Sequence, residues 1–137
     1  MKNIFLILLV LSFIAPSFGQ RFATDPKKGN NTGSALTYAY LAPAYSATTT
    51  ITPNASFTIV KPSAVSGALN ISVTDTKSQI GDELQFMLVS TGAARTVTLG
   101  TNLKGSATTI ALDSAQVGTL RFMYNGTDFI EISRAKE

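Results

Sequence analysis

Acid–base chemistry in this 137-residue chain would have to come from eight carboxylates: Asp25, Asp75, Asp82, Glu83, Asp113, Asp128, Glu131 and Glu137. Glycosidase-type catalysis needs two of them facing one another across a cleft. Asp82 and Glu83 are adjacent, so on a strand they point to opposite faces, and they follow Gly81 in an expected loop. Asp75 and Asp128 stand beside Thr and Asn in expected turns, where such side chains bond to local backbone. A calcium loop needs oxygen ligands at alternating positions, and Asp75-Thr76-Lys77 puts a cation where the third ligand belongs. The chain has no His and no Cys, which removes thiolate chemistry, disulfides and imidazole-bound metals. Serines abound, but a nucleophilic Ser needs an activating base. A Ser-Lys dyad stays open by residue type alone, with no motif for it. The residues predict a protein that is not an enzyme and uses no cofactor or metal.

Charge points the same way. Charged residues make up 14% of the chain and the net charge is +3. The Lys and Arg residues are scattered, with no cluster longer than Lys27-Lys28. Nucleic-acid binding wants a basic stripe with interleaved aromatics, so no nucleic-acid partner is expected. Asn30, Asn54, Asn70 and Asn125 match the glycosylation pattern, a match that arises readily in a Ser- and Thr-rich chain.

The elements that would position these residues begin after a distinct leader. Met1-Lys2-Asn3 precedes the apolar run Ile4, Phe5, Leu6, Ile7, Leu8, Leu9, Val10, Leu11, which continues to Ala15 before Pro16 and Ser17-Phe18-Gly19. A positive end, a short apolar core and a small-residue frame predict a secretory signal over residues 1–19, cleaved before Gln20. An uncleaved membrane anchor is the alternative, although a span needs about 20 apolar residues; a buried helix would show a polar face. Either way export is expected, with membrane contact only through this segment. Residues 20–34 hold turn formers and charges and read as a flexible arm.

Residues 35–137 change to short alternating runs. Tyr38 and Tyr40 alternate with Ala39; Thr48 to Thr52 are all β-branched; Phe57, Ile59 and Lys61 share one face; Leu69, Ile71 and Val73 share another. Leu84, Phe86 and Leu88 alternate with Gln85, Met87 and Val89, an almost continuous apolar run that predicts a strand covered on both faces. Val97 with Leu99 and Ile110 with Leu112 mark shorter strands. Asp113 to Val117 predicts one helical turn before Gly118. Leu120, Phe122 and Tyr124 then lead through Asn125 and Gly126 to Phe129 and Ile132. Asn-Gly accepts the positive φ of a tight hairpin turn. This spacing predicts an all-β fold, a β-sandwich or jelly-roll-like barrel of about eight short antiparallel strands.

Tyr38, Tyr40 and Tyr45 form the aromatic cluster nearest the arm. They read either as an edge strand capping the core or as a candidate interface. The segment Ile80-Gly81-Asp82-Glu83-Leu84-Gln85-Phe86, the run Arg95 to Leu103, and the ending Leu120 to Arg134 resemble small β-modules of bacteriophage fibre and capsid-decorating proteins. Phe129 stands where a Trp is common in those modules. The resemblance covers residues 80–134 and implies a non-enzymatic virion surface element: a spike, fibre or minor capsid component, homotrimeric, with other virion proteins and a receptor or glycan as partners. Pairing through Tyr38 and Tyr40 would also guard a sheet edge. The export-type leader suits the alternative, a secreted or envelope-bound bacterial adhesin or filament subunit.

Overall fold

Ten strands follow one another in the computed structural model, which describes residues 35–137. The signal or anchor segment 1–19 and the arm 20–34 lie outside the described residues. The strands are β1 (Tyr38–Leu41), β2 (Thr48–Ile51), β3 (Phe57–Val60), β4 (Leu69–Val73), β5 (Glu83–Val89), β6 (Arg95–Leu99), β7 (Leu103–Lys104), β8 (Thr109–Leu112), β9 (Val117–Tyr124) and β10 (Phe129–Lys136). Among the described residues no helix is long and apolar enough to cross a membrane.

The strands deal alternately into two sheets. One has six strands in the order β1-β3-β5-β9-β10-β7, the other four in the order β2-β4-β6-β8. β1, β3 and β5 pair in parallel, as do β2, β4 and β6. Each β1–β2, β3–β4 and β5–β6 unit is therefore one coil of a β-solenoid, stacked on the next. The corners stack as well: Ser63 donates its N–H to the Pro43 carbonyl at 3.0 Å, and Val65 donates to Val89 at 2.7 Å. After three coils the chain reverses, with β8 antiparallel to β6, β9 to β5, and β10 to β9.

This corrects the expected antiparallel sandwich or jelly-roll-like barrel. Alternation fixes which side chains face inward but is the same for parallel and antiparallel neighbours. What decides direction here is that each short connection turns a corner into the other sheet, so the next strand in the same sheet arrives one coil later, running the same way. Pairing Tyr38 with Phe57 and Phe57 with Glu83 takes steps of 19 and then 26 residues, so the coils differ in length and leave no fixed period.

The core lies between the sheets and draws on both: Val60, Leu84, Phe86, Leu120, Phe122 and Phe129 from one, Leu69, Ile71, Val73, Val97, Ile110 and Leu112 from the other. Phe86 meets Phe122 edge-on at 5.9 Å. Gly118 lies where a Cβ would come within 2.6 Å of Leu112, so a side chain there would push the sheets apart.

Three local expectations change with the topology. In β3 it is Thr58 and Val60 that are buried, while Phe57 and Ile59 face outward and are half-buried. The register explains this, because Thr58 aligns with Leu84 and Val60 with Phe86, both core residues. In β5 only Leu84, Phe86 and Leu88 are fully covered; Gln85, Met87 and Val89 are half-buried on the outer face. That strand is internal to its sheet, but a second sheet packs on one face only. Residues 113–116 form a reverse turn, closed by Gln116 N–H donating to the Asp113 carbonyl at 3.1 Å. Ala115 sits at φ 59°, a left-handed conformation that ends any helical turn.

Candidate interaction surface

Two rows of side chains run across the outer face of the six-stranded sheet. Register places Tyr38 beside Phe57, then Glu83, Met123 and Ile130. The second row is Tyr40, Ile59, Gln85, Arg121 and Ser133. Parallel stacking aligns the members on β1, β3 and β5, since each coil repeats the pleat of the last, and antiparallel pairing with β9 and β10 continues each row. Tyr38 packs edge-on against Phe57 at 5.9 Å. Glu83 and Arg121 pair at 2.6 Å near the middle of the face. The bulge between Glu131 and Ser133 leaves Ile132 without a register partner, and Ile132, Met123 and Ile130 are all exposed. The face is thus apolar at both ends, with one half-exposed ion pair between.

The candidate interface tyrosines separate. Tyr38 and Tyr40 lie on β1 at the sheet edge, 74% and 61% exposed, with Leu36 just before them at 72%. Tyr45 turns the other way. It packs against the core and its hydroxyl donates to the Ala68 carbonyl at 2.9 Å, so it belongs to the fold and not to this surface.

Asn125 and Gly126 close the β9–β10 hairpin by a division of labour. Gly126 takes φ 102° while Asn125 keeps a negative φ. The Asn125 side-chain oxygen accepts from the N–H groups of Thr127 and Asp128 at 2.9 and 2.8 Å, the local bonding that suits Asn to turns.

The carboxylates weighed for chemistry are dispersed among structural contacts. The Asp82 carboxylate accepts from Gln79 N–H at 2.7 Å; burial raises its pKa, and that hydrogen bond partly offsets the rise. Glu83 is not in a loop but opens β5, where it meets Arg121. Asp75 accepts from the Tyr124 hydroxyl at 3.1 Å, and burial together with that carboxylate holds the phenol above its ordinary pKa. Glu131 accepts from both Nε and Nη2 of Arg134 at 2.8 Å, and from Ser106 N–H at 3.1 Å. Among the described residues no three His, Cys, Asp or Glu side chains converge on a metal position.

Sequence reasoning missed two groups. The outward residues Arg121, Met123 and Ile130 were available from alternation, the first two lying between Leu120, Phe122 and Tyr124 and the third next to Phe129. Arg134 and Lys136 gave no such signal, because their partners are backbone carbonyls 25 and 27 residues earlier. No protein-family model matches the chain, and no curated protein matches it.

Proposed function

We propose that this chain is a non-enzymatic structural or adhesive surface protein, and that it serves as a spike, fibre or minor capsid component of a virion. The observation that carries the reading is the outer face of the six-stranded sheet, where Leu36, Tyr38, Tyr40, Met123, Ile130 and Ile132 expose apolar groups on a regular wall. Exposed apolar patches of this kind serve interaction surfaces better than they serve solubility. Stacked coils also suit a load-bearing or display role, because each coil is fixed by hydrogen bonds to its neighbours. The resemblance of residues 80–134 to phage surface modules supplies the viral setting. Its partners on this reading are further copies of itself, neighbouring virion proteins, and a receptor or glycan; the leader carries export or anchoring.

The export-type leader favours one second reading, a secreted or envelope-bound bacterial adhesin or filament subunit. Fractionation separates the two. Mass spectrometry of purified particles and of cell envelopes, with the native N-terminus sequenced, should find the chain in the particles. Particles that lack it contradict the viral role, and recovery from envelopes with an N-terminus at Gln20 supports the cellular one.

A further inference from the structure

The solenoid has two ends, and they are finished differently. At the far end the outward carbonyls along the edge of β8 are occupied. Leu99 N–H donates to the Thr108 carbonyl at 2.8 Å, so alternate residues of that segment face β6 and those between them face out. Those outward carbonyls are taken: Arg134 donates to Ala107 at 3.0 Å and to Thr109 at 2.8 Å, and Lys136 to Ala111 at 3.3 Å. The edge of the other sheet is β7, two residues long and ending in Lys104. Short edges and cationic cover are the usual devices that keep strands from pairing with other chains.

Among the described residues the β1–β2 end, whose strands run four residues each, has no cationic cover. Phe57 and Lys61 donate to the carbonyls of Thr37 and Leu41 at 2.9 and 2.8 Å. Parallel pairing therefore turns the N–H and C=O of Tyr38 and Tyr40 outward. In the same way Asn70 and Thr74 donate to Ala47 and Ile51, both at 2.8 Å, which leaves the groups of Thr48 and Thr50 outward. No described strand pairs with either edge. The sequence from Gly29 to Val60 contains no charged residue, so neither edge carries a Lys or Glu gatekeeper.

We propose that this end is a self-pairing surface, on which β1 of a second copy of this chain pairs antiparallel with β1 about a twofold axis. The occupant follows from three observations. The β8 end is already capped by Arg134 and Lys136, so head-to-tail stacking into a filament meets a closed edge. Of the chain before Ala35, residues 20–34 hold Pro26, Gly29, Gly33 and four charges in Arg21, Asp25, Lys27 and Lys28, with no alternating run to supply a strand. The β1 edge is self-complementary. The only register that uses both free residues places Tyr38 opposite Tyr40 of the partner and Tyr40 opposite Tyr38, with Ala39 on the axis. Both tyrosine pairs then stack across the joint on the outer face, where cross-strand aromatic pairs stabilise antiparallel sheets. Edge pairing of this type is isologous and closes at two copies, where the resemblance to phage modules implies three.

The inference deepens the self-association in the proposed function but stands on the edge alone. Location in particles or envelopes is measured separately, so failure of either leaves the other intact. In the paired register the two Ala39 residues form a non-hydrogen-bonded pair, about 4.5 Å between Cα atoms, which is within disulfide reach. The chain has no cysteine of its own, so Ala39→Cys in the full chain is a clean reporter. Mild oxidation should convert it to a covalent dimer that reductant dissolves, while Ala111→Cys on the capped edge stays monomeric. Sedimentation equilibrium of the unmodified chain should fit a monomer–dimer system, with dissociation at least about tenfold easier in Tyr38→Lys/Tyr40→Lys. A circular dichroism spectrum matching the unmodified chain shows that the double variant folds. A chain that sediments only as monomer or trimer, or an Ala111→Cys variant that cross-links as readily as Ala39→Cys, overturns the proposal.

Discussion

The two ends of the solenoid face the same physical problem and answer it with opposite chemistry. At the β8 end, side chains from within the chain take up the outward carbonyls: Arg134 reaches Ala107 and Thr109, and Lys136 reaches Ala111. Arg134 is held for this by Glu131, whose side chain is only 6% exposed. At the β1 end, tyrosine and threonine edges carry no charge and meet no described strand. The difference teaches that a solenoid end is closed either in cis, by long cationic side chains, or in trans, by another sheet. A protein that caps the carbonyls of one end and leaves the other unpaired among the described residues marks that second end as the one meant to pair.

The comparison can be broken most forcefully at Arg134. Arg134→Ala takes its partner from both oxygens of the Glu131 carboxylate and frees the carbonyls of Ala107 and Thr109 at once. Loss of charged hydrogen bonds around a nearly buried acid should lower unfolding stability by about 3 kcal/mol in urea titration. It should also open the β8 edge, so that association now depends on both ends. Arg134→Lys should recover little, because a single ammonium cannot reproduce the two-pronged contact with Glu131.

A smaller change of opposite sign is expected one coil below the bare end. The Thr58 hydroxyl is buried and has no hydrogen-bond partner. Thr58→Val keeps the shape and removes an uncompensated polar group, so thermal or urea unfolding should show a gain of about 1 kcal/mol. No change there would mean that the space above Thr58 is wet.

Tyr38→Lys alone sharpens the contrast with Arg134→Ala. Tyr38 is largely exposed, so unfolding stability of the dilute chain should stay within about 0.5 kcal/mol, while association weakens. A large stability loss would place Tyr38 in the fold and not on a joint.

The smallest effect belongs to Asp82. Its pKa is raised on folding by burial, so the native state holds the proton more tightly than the unfolded chain. Stability therefore falls as pH rises from the unfolded pKa through the folded one, and the penalty persists at neutral pH. Asp82→Asn keeps an oxygen for Gln79 N–H. Relative to the unmodified chain it should show no gain at the acid end and a slight gain in stability at pH 7, the difference opening as pH rises through the folded pKa.

Much of this was legible in the sequence at the level of strands, and little at the level of their directions. Alternation located nearly every strand, and the Asn125-Gly126 turn sat between two of them. Ile71-Ser72-Val73-Thr74 weakly echoes Arg95-Thr96-Val97-Thr98-Leu99 in sequence, and in the structure these runs pair laterally, Leu69 with Val97 and Ile71 with Leu99. The echo was unreadable as a repeat because the coils differ in length and alternating Thr is common in any sheet. Alternation put Phe57, Ile59 and Lys61 on one face and Thr58 and Val60 on the other without saying which turns inward. Only the register with Leu84 shows that Thr58 is the inward residue. Tyr38 and Tyr40 stood out by type, while their meaning as an edge depended on which strand came first in the stack. The cap by Arg134 and Lys136 was invisible, because no sequence pattern marks a backbone carbonyl as an acceptor.

Hydrogen exchange resolved to single amides, followed across a range of chain concentrations, tests the central asymmetry most directly. The amides of Tyr38 and Tyr40 should exchange quickly in dilute solution and slow together as concentration rises, while those of Thr109 and Ala111 do not respond. Equal response at both edges, or fast exchange of the two tyrosine amides at every concentration, would contradict an end built to be closed by a second copy.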